Sequence, residues 1–173
     1  MKLTVGEIAK FGLLGGILYV QKAALAALPN IHLVAVLIIA YTVVYRAKAL
    51  FPIYIYVFLE GIFGGFTVYW APYLYVWTLL WGAAMLLPGD LPEKKYGIIA
   101  YMTVCALHGF LFGTLCAPLY ALLMGLNVKG MFAWITAGLP YDAIHGISNL
   151  ILGALIIPLI RLLRKLERIK TST

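Results

Sequence analysis

The stretch from Gly138 to Asn149, GLPYDAIHGISN, sets an aspartate, a histidine and an asparagine at Asp142, His145 and Asn149. The i, i+3, i+7 spacing puts all three on one face of a helix. The residues that follow, LILGALIIPLI to Ile160, are apolar, so the polar group opens a helix suited to a membrane, where such residues are expensive and usually functional. A polar face there asks for a ligand or a partner. Three charged residues fall inside apolar runs away from the basic loops: Lys22, Glu60 and Asp142. Each costs roughly 2.5–3.5 kcal/mol at the centre of a bilayer when left unpaired. Lys22 and Glu60 lie at nearly equal depth along their runs, about 15–16 Å from the inner boundary at 1.5 Å per residue. They are therefore expected either to form a buried ion pair that locks two helices together or to face a polar ligand cavity.

His108 sits in the middle of one apolar run and His145 near the start of the next, with Asp142 and Asn149 beside it. Consecutive antiparallel helices would bring these four polar residues to a shared pocket. Nitrogen and oxygen ligation of a metal by His108, His145 and Asp142 is chemically conceivable, but no HxxxH or HExxH spacing supports it. No metal or other cofactor is expected. General acid–base catalysis needs a nucleophile or an activated water beside these groups, and nothing is arranged like a membrane hydrolase, so the chain is not expected to be an enzyme. Trp70, Tyr73, Trp77 and Trp81 recur as one aromatic stripe. Trp70 and Tyr73 fit an interfacial belt. Trp77 lies deeper, where it can stack on a flat ring. Trp134 falls in an expected outer loop, where it can act as a lid.

The elements that must position these residues follow from composition. With 64% hydrophobic and 11% charged residues and a mean hydropathy of +1.00, the chain is a multispan membrane protein by composition. One all-α domain over residues 1–173 is expected, with six transmembrane spans at about 11–28, 31–45, 50–69, 71–87, 96–124 and 138–160, the second and fourth short. Breaks fall at Pro29-Asn30, Arg46 to Lys48, Ala71-Pro72, the PGDLPEKK stretch and Asn127 to Gly130, all rich in turn-forming or charged residues.

Eleven of the thirteen cations share one side of this arrangement: Lys2, Lys10, Arg46, Lys48, Lys94, Lys95, Arg161, Arg164, Lys165, Arg168 and Lys170. The positive-inside rule then places both termini in the cytoplasm. The net charge of +7 is thus a topology signal rather than a nucleic-acid footprint, and the basic tail is expected to sit against anionic lipid. Residues 1–27 imitate a signal peptide, but Lys22 interrupts the end of the apolar run. Cys105 and Cys116 share an expected helix at a separation of roughly 16 Å, too far for a disulfide.

Together these features resemble the substrate-binding S components of energy-coupling factor (ECF) vitamin transporters. The likeness covers the whole chain as architecture, and its local carriers are AALAALPN at the end of the first run, LPYDAIHGISN at the entry to the last, and the apolar-then-basic ending PLIRLLRKLER. It implies that small residues on the first helix pack against a transmembrane coupling subunit. Ala23 and Ala27 match the AxxxA letters but lie in the outer half; Gly12 and Gly16 lie at the cytoplasmic depth and are the preferred pair. The resemblance further implies an outward-facing vitamin site, carried here by Trp77, His108, Trp134, His145 and Asn149. Lys22, Glu60 and Asp142 join it from their polarity and depth. The partners would be a coupling subunit and two ATPase subunits in a bacterial plasma membrane, since the chain has no P-loop of its own.

Thiamin-like, pyridoxine-like, pantothenate-like and deazapurine-like compounds all suit such a site. A small membrane enzyme or a structural subunit are the competing readings. The enzyme requires a cluster open to lipid or cytoplasm, and the structural subunit requires no cavity. Replacing His145 with alanine is expected to weaken ligand binding tenfold or more, about 1.4 kcal/mol, without loss of folding; unchanged affinity in a titration would remove His145 from the site.

Overall fold

A computed structural model describes residues 2–171, with side chains described as far as Arg168; Lys170 of the basic tail lies outside the described side chains. The described residues contain helices and no strands. Eight α-helices follow in order: α1 Val5–Ala24, α2 Val34–Tyr45, α3 Leu50–Gly64, α4 Tyr73–Met85, α5 Gly97–Phe110, α6 Phe112–Met124, α7 Val128–Leu152 and α8 Ile156–Thr171. Three helical stretches are long and apolar enough to cross a membrane: Val34–Gly64, Gly97–Met124 and Val128–Arg168. The first folds back on itself at Arg46, whose φ of 52° lies in the left-handed region that an L-residue adopts only where a turn demands it. The other two run on through short irregularities, at Leu111 between α5 and α6 and at the 3-10 turn Gly153–Leu155 between α7 and α8.

Helix α2, VAVLIIAYTVVY, is apolar on every side, and such a helix must be wrapped by protein or lipid. Protein wraps it: Val34 to Val43 are all buried, against α1, α4, α5, α7 and α8. Its two buried hydroxyls both donate to carbonyls, Thr42 Oγ1 to Ile38 O at 2.7 Å and Tyr41 Oη to Leu14 O at 3.4 Å.

Helices α1 and α3 flank this centre and run parallel, as their end contacts show. Glu7 pairs with Lys48 at 2.5 Å at one end, and Lys22 pairs with Glu60 at the other. The Lys48 hydrogen bond and then the Thr4 backbone amide hold the Glu7 carboxyl down at about 2. The helices approach closely because Gly15 faces Pro52 and Ile55 with no side chain of its own. The Glu7 end gathers further polar ties. Glu167 on α8 receives Lys10 at 2.9 Å and the Tyr45 hydroxyl at 3.0 Å, Arg164 pairs with Glu93, and Arg46 donates to Met85 O at 2.9 Å.

A second seam joins α5 to α7. Gly109 on α5 and Gly146 on α7 lie against each other, Asn149 Nδ2 donates to Cys105 O at 3.2 Å, and the Gly113 amide donates to both Asp142 carboxylate oxygens at 2.9 and 3.1 Å. Asp142 thus caps the first turn of α6, one of the places where a helix leaves unpaired N–H groups and a carboxylate is favoured. Cys105 and Cys116 are free thiols.

Helix α7 begins ten residues before the expected start of the last run at 138. Asn127 caps it, accepting from the Gly130 amide at 2.8 Å, and Pro140 is accommodated inside it. Trp134, expected in a loop, therefore lies within α7 and packs edge-on against Tyr120 of α6 at 4.7 Å. The turn between α6 and α7 is correspondingly short, centred on Gly125 in the left-handed conformation.

A methyl group at Gly109 would meet Asn149 Nδ2 and His145 O at 2.8 Å, the first fixed by its hydrogen bond to Cys105 O and the second part of the α7 backbone. Gly109→Ala should force α5 and α7 apart and cost on the order of 1–3 kcal/mol. Gly12, with nothing within 4 Å of its would-be Cβ, supplies the control: Gly12→Ala should leave the thermal midpoint unchanged in the same melt.

Candidate functional site

At the end of the bundle that holds the Lys22–Glu60 pair lies a partly open cavity of about 450 Å³. Its walls come from five places: the last turns of α1 with the connection that follows, the end of α3 through Glu60 and Phe63, Tyr73 on α4, Phe112 at the start of α6, and His145 on α7. Each wall reaches the same level for a local reason. Pro29 and Asn30 end the α1 connection and deliver His32 beside His145, the two imidazoles meeting edge-on at 5.0 Å. The α5–α6 irregularity at Leu111 sets Phe112 over His145 at 5.0 Å.

The two formal charges in the wall answer each other. Lys22 Nζ pairs with Glu60 and lies 3.4 Å from the Tyr73 hydroxyl, which accepts from it, with the ammonium 5.1 Å from the Tyr73 ring centre. Both expectations for these residues meet in one arrangement, because the pair ties α1 to α3 and also lines the cavity.

Beneath the cavity an aromatic layer closes the floor. The Phe112 ring stands 5.4 Å from Trp77 and 5.8 Å from His108, Trp77 lies 5.3 Å from His108, and Tyr56 and Tyr73 pack on Trp77 at 5.9 and 5.6 Å. Polar atoms in this layer and in the wall are buried without a hydrogen-bond partner: His32 Nδ1, Tyr56 Oη, Trp77 Nε1, His108 Nδ1 and His145 Nε2. His108 Nε2 lies 3.2 Å from Val76 O, so that nitrogen carries the proton and Nδ1 is left as an acceptor. Buried polar groups are ordinarily paired, and each exception costs about 1–3 kcal/mol. Of these five residues His32 and His145 line the cavity, and Tyr56, Trp77 and His108 lie behind its wall.

The eight polar and aromatic residues singled out from sequence separate into three groups. Lys22, Glu60 and His145 line the cavity. Trp77 and His108 do not line it but pack behind its Tyr73 and Phe112 wall, buried to 1% and 7% exposure. Asn149, Asp142 and Trp134 stand apart from it. Asn149 is fully buried and bonds to α5; Asp142 and Trp134 border a neighbouring cavity of about 390 Å³, which shares Asn30 and Phe112 with the first. Phe112 and Asn30 are thus the partition between the two spaces.

The aromatic stripe also divides. Trp70 and Trp81 spend their indole N–H on Val57 O and Arg46 O at 2.8 and 3.1 Å, which ties the turn before α4 to α3, and α4 itself to the Arg46 turn between α2 and α3. Tyr73 lines the cavity, and Trp77 alone of the three indoles in the stripe keeps a buried N–H without a partner. Sequence reasoning passed over His32 and Phe112. His32 was detectable, since it follows the Pro29-Asn30 break and so must lie at the level of Lys22; Phe112 carried no polar signal.

On helix α1, Gly12 and Gly16 face outward with Leu13, Ile17 and Val20 around them, forming a shallow apolar groove. Ala23 and Ala27 are also exposed, and Ala23 reaches the cavity rim. Among the described residues no group of three or more His, Cys, Asp or Glu side chains is placed to hold a metal ion. No family model, curated protein or solved structure matches this chain.

Removing one member of the Lys22–Glu60 pair strands the other charge in a half-buried setting, whereas removing both does not. Glu60→Leu should lower stability by roughly 3 kcal/mol, and the double variant Lys22→Met, Glu60→Leu should recover most of that loss in the same thermal melt. Equal losses for the single and double variants would show that the pair is not coupled.

Proposed function

We propose that this chain is the substrate-binding membrane subunit, the S component, of an ECF-type transporter. It captures a vitamin or related micronutrient from the outer side and delivers it for uptake driven by partner ATPases. The observation that carries this reading is the cavity at the Lys22–Glu60 end. It has the size of a small-molecule site, and its lining is polar and aromatic at once, with Lys22, Glu60, His32 and His145 beside Tyr73 and Phe112.

The topology that goes with this function has six spans: α1, α2, α3, α4, the α5–α6 run and the α7–α8 run. Helices α2 and α4 are 12 and 13 residues long, about 18–20 Å at 1.5 Å per residue, short for a hydrocarbon core of about 30 Å. Helix α2 tolerates this because protein, not lipid, surrounds it. The cations gather at the Glu7 end, which the positive-inside rule makes cytoplasmic, so the cavity opens outward. Large apolar side chains exposed along the helices, among them Leu13, Val20, Ile62, Leu79, Ile99, Leu122 and Ile151, suit contact with lipid or with another membrane subunit. The α1 groove at Gly12 and Gly16 suits a closely packed helix of a coupling subunit, because two adjacent glycines on one face let backbones approach. The protein acts in this reading as a binder without catalysis, in a bacterial plasma membrane, with a coupling subunit and two ATPase subunits as partners.

Native mass spectrometry of the purified protein tests the reading. A small molecule of vitamin size should accompany the chain and leave on unfolding. No such adduct, together with a thermal midpoint that no member of a vitamin panel raises, would count against it.

A further inference from the structure

We propose that the ligand of this cavity is a planar heterocycle of zero net charge, read along its hydrogen-bonding edge by His32 and His145. The inference rests on the transport reading and narrows its substrate class.

Charge balance comes first. The formal charges in the cavity wall are Lys22 and Glu60, one of each sign, already paired with each other and with the Tyr73 hydroxyl accepting from Lys22. The remaining polar lining is Tyr19, Asn30, His32, Tyr73 and His145. The nearby Asp142 carboxylate does not face this space: it borders the adjoining cavity, and its two oxygens receive the Gly113 amide. An anionic or cationic ligand would either bring an uncompensated charge into this partly desolvated space or take one member of the pair and strand the other. A net-neutral ligand does neither.

The hydrogen-bonding edge is supplied by two imidazoles. His32 and His145 are 9% and 2% exposed and each lines the cavity; Nδ1 of His32 and Nε2 of His145 are sealed from it without a partner, so a guest meets the other nitrogen of each ring. Their rings stand 5.0 Å apart at 71°, so the two nitrogens belong to differently oriented planes. A neutral imidazole offers a donor or an acceptor at a given nitrogen according to tautomer. The pair can therefore match a donor and an acceptor on one ring edge, a pattern that amide-bearing and amino-bearing heterocycles carry. The Phe112 and Tyr73 rings, edge-to-face with each other at 77°, line the cavity beside them, and a planar aromatic guest packs well on aromatic rings.

The experiment uses the full-length protein in detergent and three uncharged ring compounds, nicotinamide, pyridoxine and adenine, against three charged compounds, nicotinate, thiamin and pantothenate. Binding is read by thermal shift and by titration calorimetry at pH 7.5. Nicotinamide and nicotinate differ in little more than the charge. At least one uncharged compound should raise the thermal midpoint and bind at least tenfold more tightly than every charged one. His32→Ala and His145→Ala should each weaken that binding tenfold or more. If the histidines serve only the fold, they will instead lower the midpoint of the free protein and leave the dissociation constant of the surviving fraction unchanged, which overturns the assignment of the edge. A charged compound that binds more tightly than the uncharged set overturns the ligand class and leaves the transport reading standing. If all six are silent, the electrophoretic mobility of a co-purified small molecule decides: zero net charge supports the class, and a net charge overturns it. Silence of all six with no co-purified molecule removes the transport reading and this inference with it.

Discussion

The close approach of α5 and α7 is the constraint from which the site follows. Glycines face each other at Gly109 and Gly146, and the gap between the two backbones is too small for a methyl group. Held this close, Asn149 reaches the Cys105 carbonyl and Asp142 reaches the Gly113 amide. The seam fixes the level of His145 relative to His108, and it sets Phe112 at the α5–α6 irregularity as the plate between them. Loosening it would shift two walls of the cavity, Phe112 and His145, at once. Two of the polar residues that look most like ligand contacts in the sequence, Asp142 and Asn149, are occupied in holding this seam.

The opposite wall depends on a different kind of contact. Helices α1 and α3 run parallel, pinned by ion pairs at both ends and brought together at Gly15. An ion pair inside a bundle is a weak source of stability, because the desolvation of both charges offsets their attraction. What the Lys22–Glu60 pair does is positional: it sets the register of α1 on α3 and presents a polar, neutral wall to the cavity. Between these two seams lies α2, which carries no chemistry. Its uniformly apolar surface makes it the common packing partner of α1, α4, α5, α7 and α8.

Individual residues show how far the sequence could be read. The pairing of Lys22 with Glu60 was legible because two opposite charges at equal depth in apolar runs have few other ways to be satisfied. The burial of Trp77 and His108 was legible from depth along their helices. Asp142 was misleading, since a carboxylate near a helix–helix turn serves an exposed backbone amide as well as it serves a guest, and composition does not separate the two. Trp134 was misleading for another reason: the GLP sequence before Asp142 has the residues of a loop, yet the helix begins at Asn127 and carries Pro140 inside it.

Composition and charge placement by themselves determined that this chain is helical and apolar enough for a membrane, because those properties sum over residues and do not depend on who neighbours whom. Which polar residues face a common space was decided only by the tertiary structure. The level of His32 depends on how the chain turns after Pro29, the position of Phe112 depends on a break between α5 and α6, and the roles of Asp142 and Asn149 depend on the distance between two helix backbones. Those are relations between segments far apart in the chain, and residue type and local spacing do not encode them.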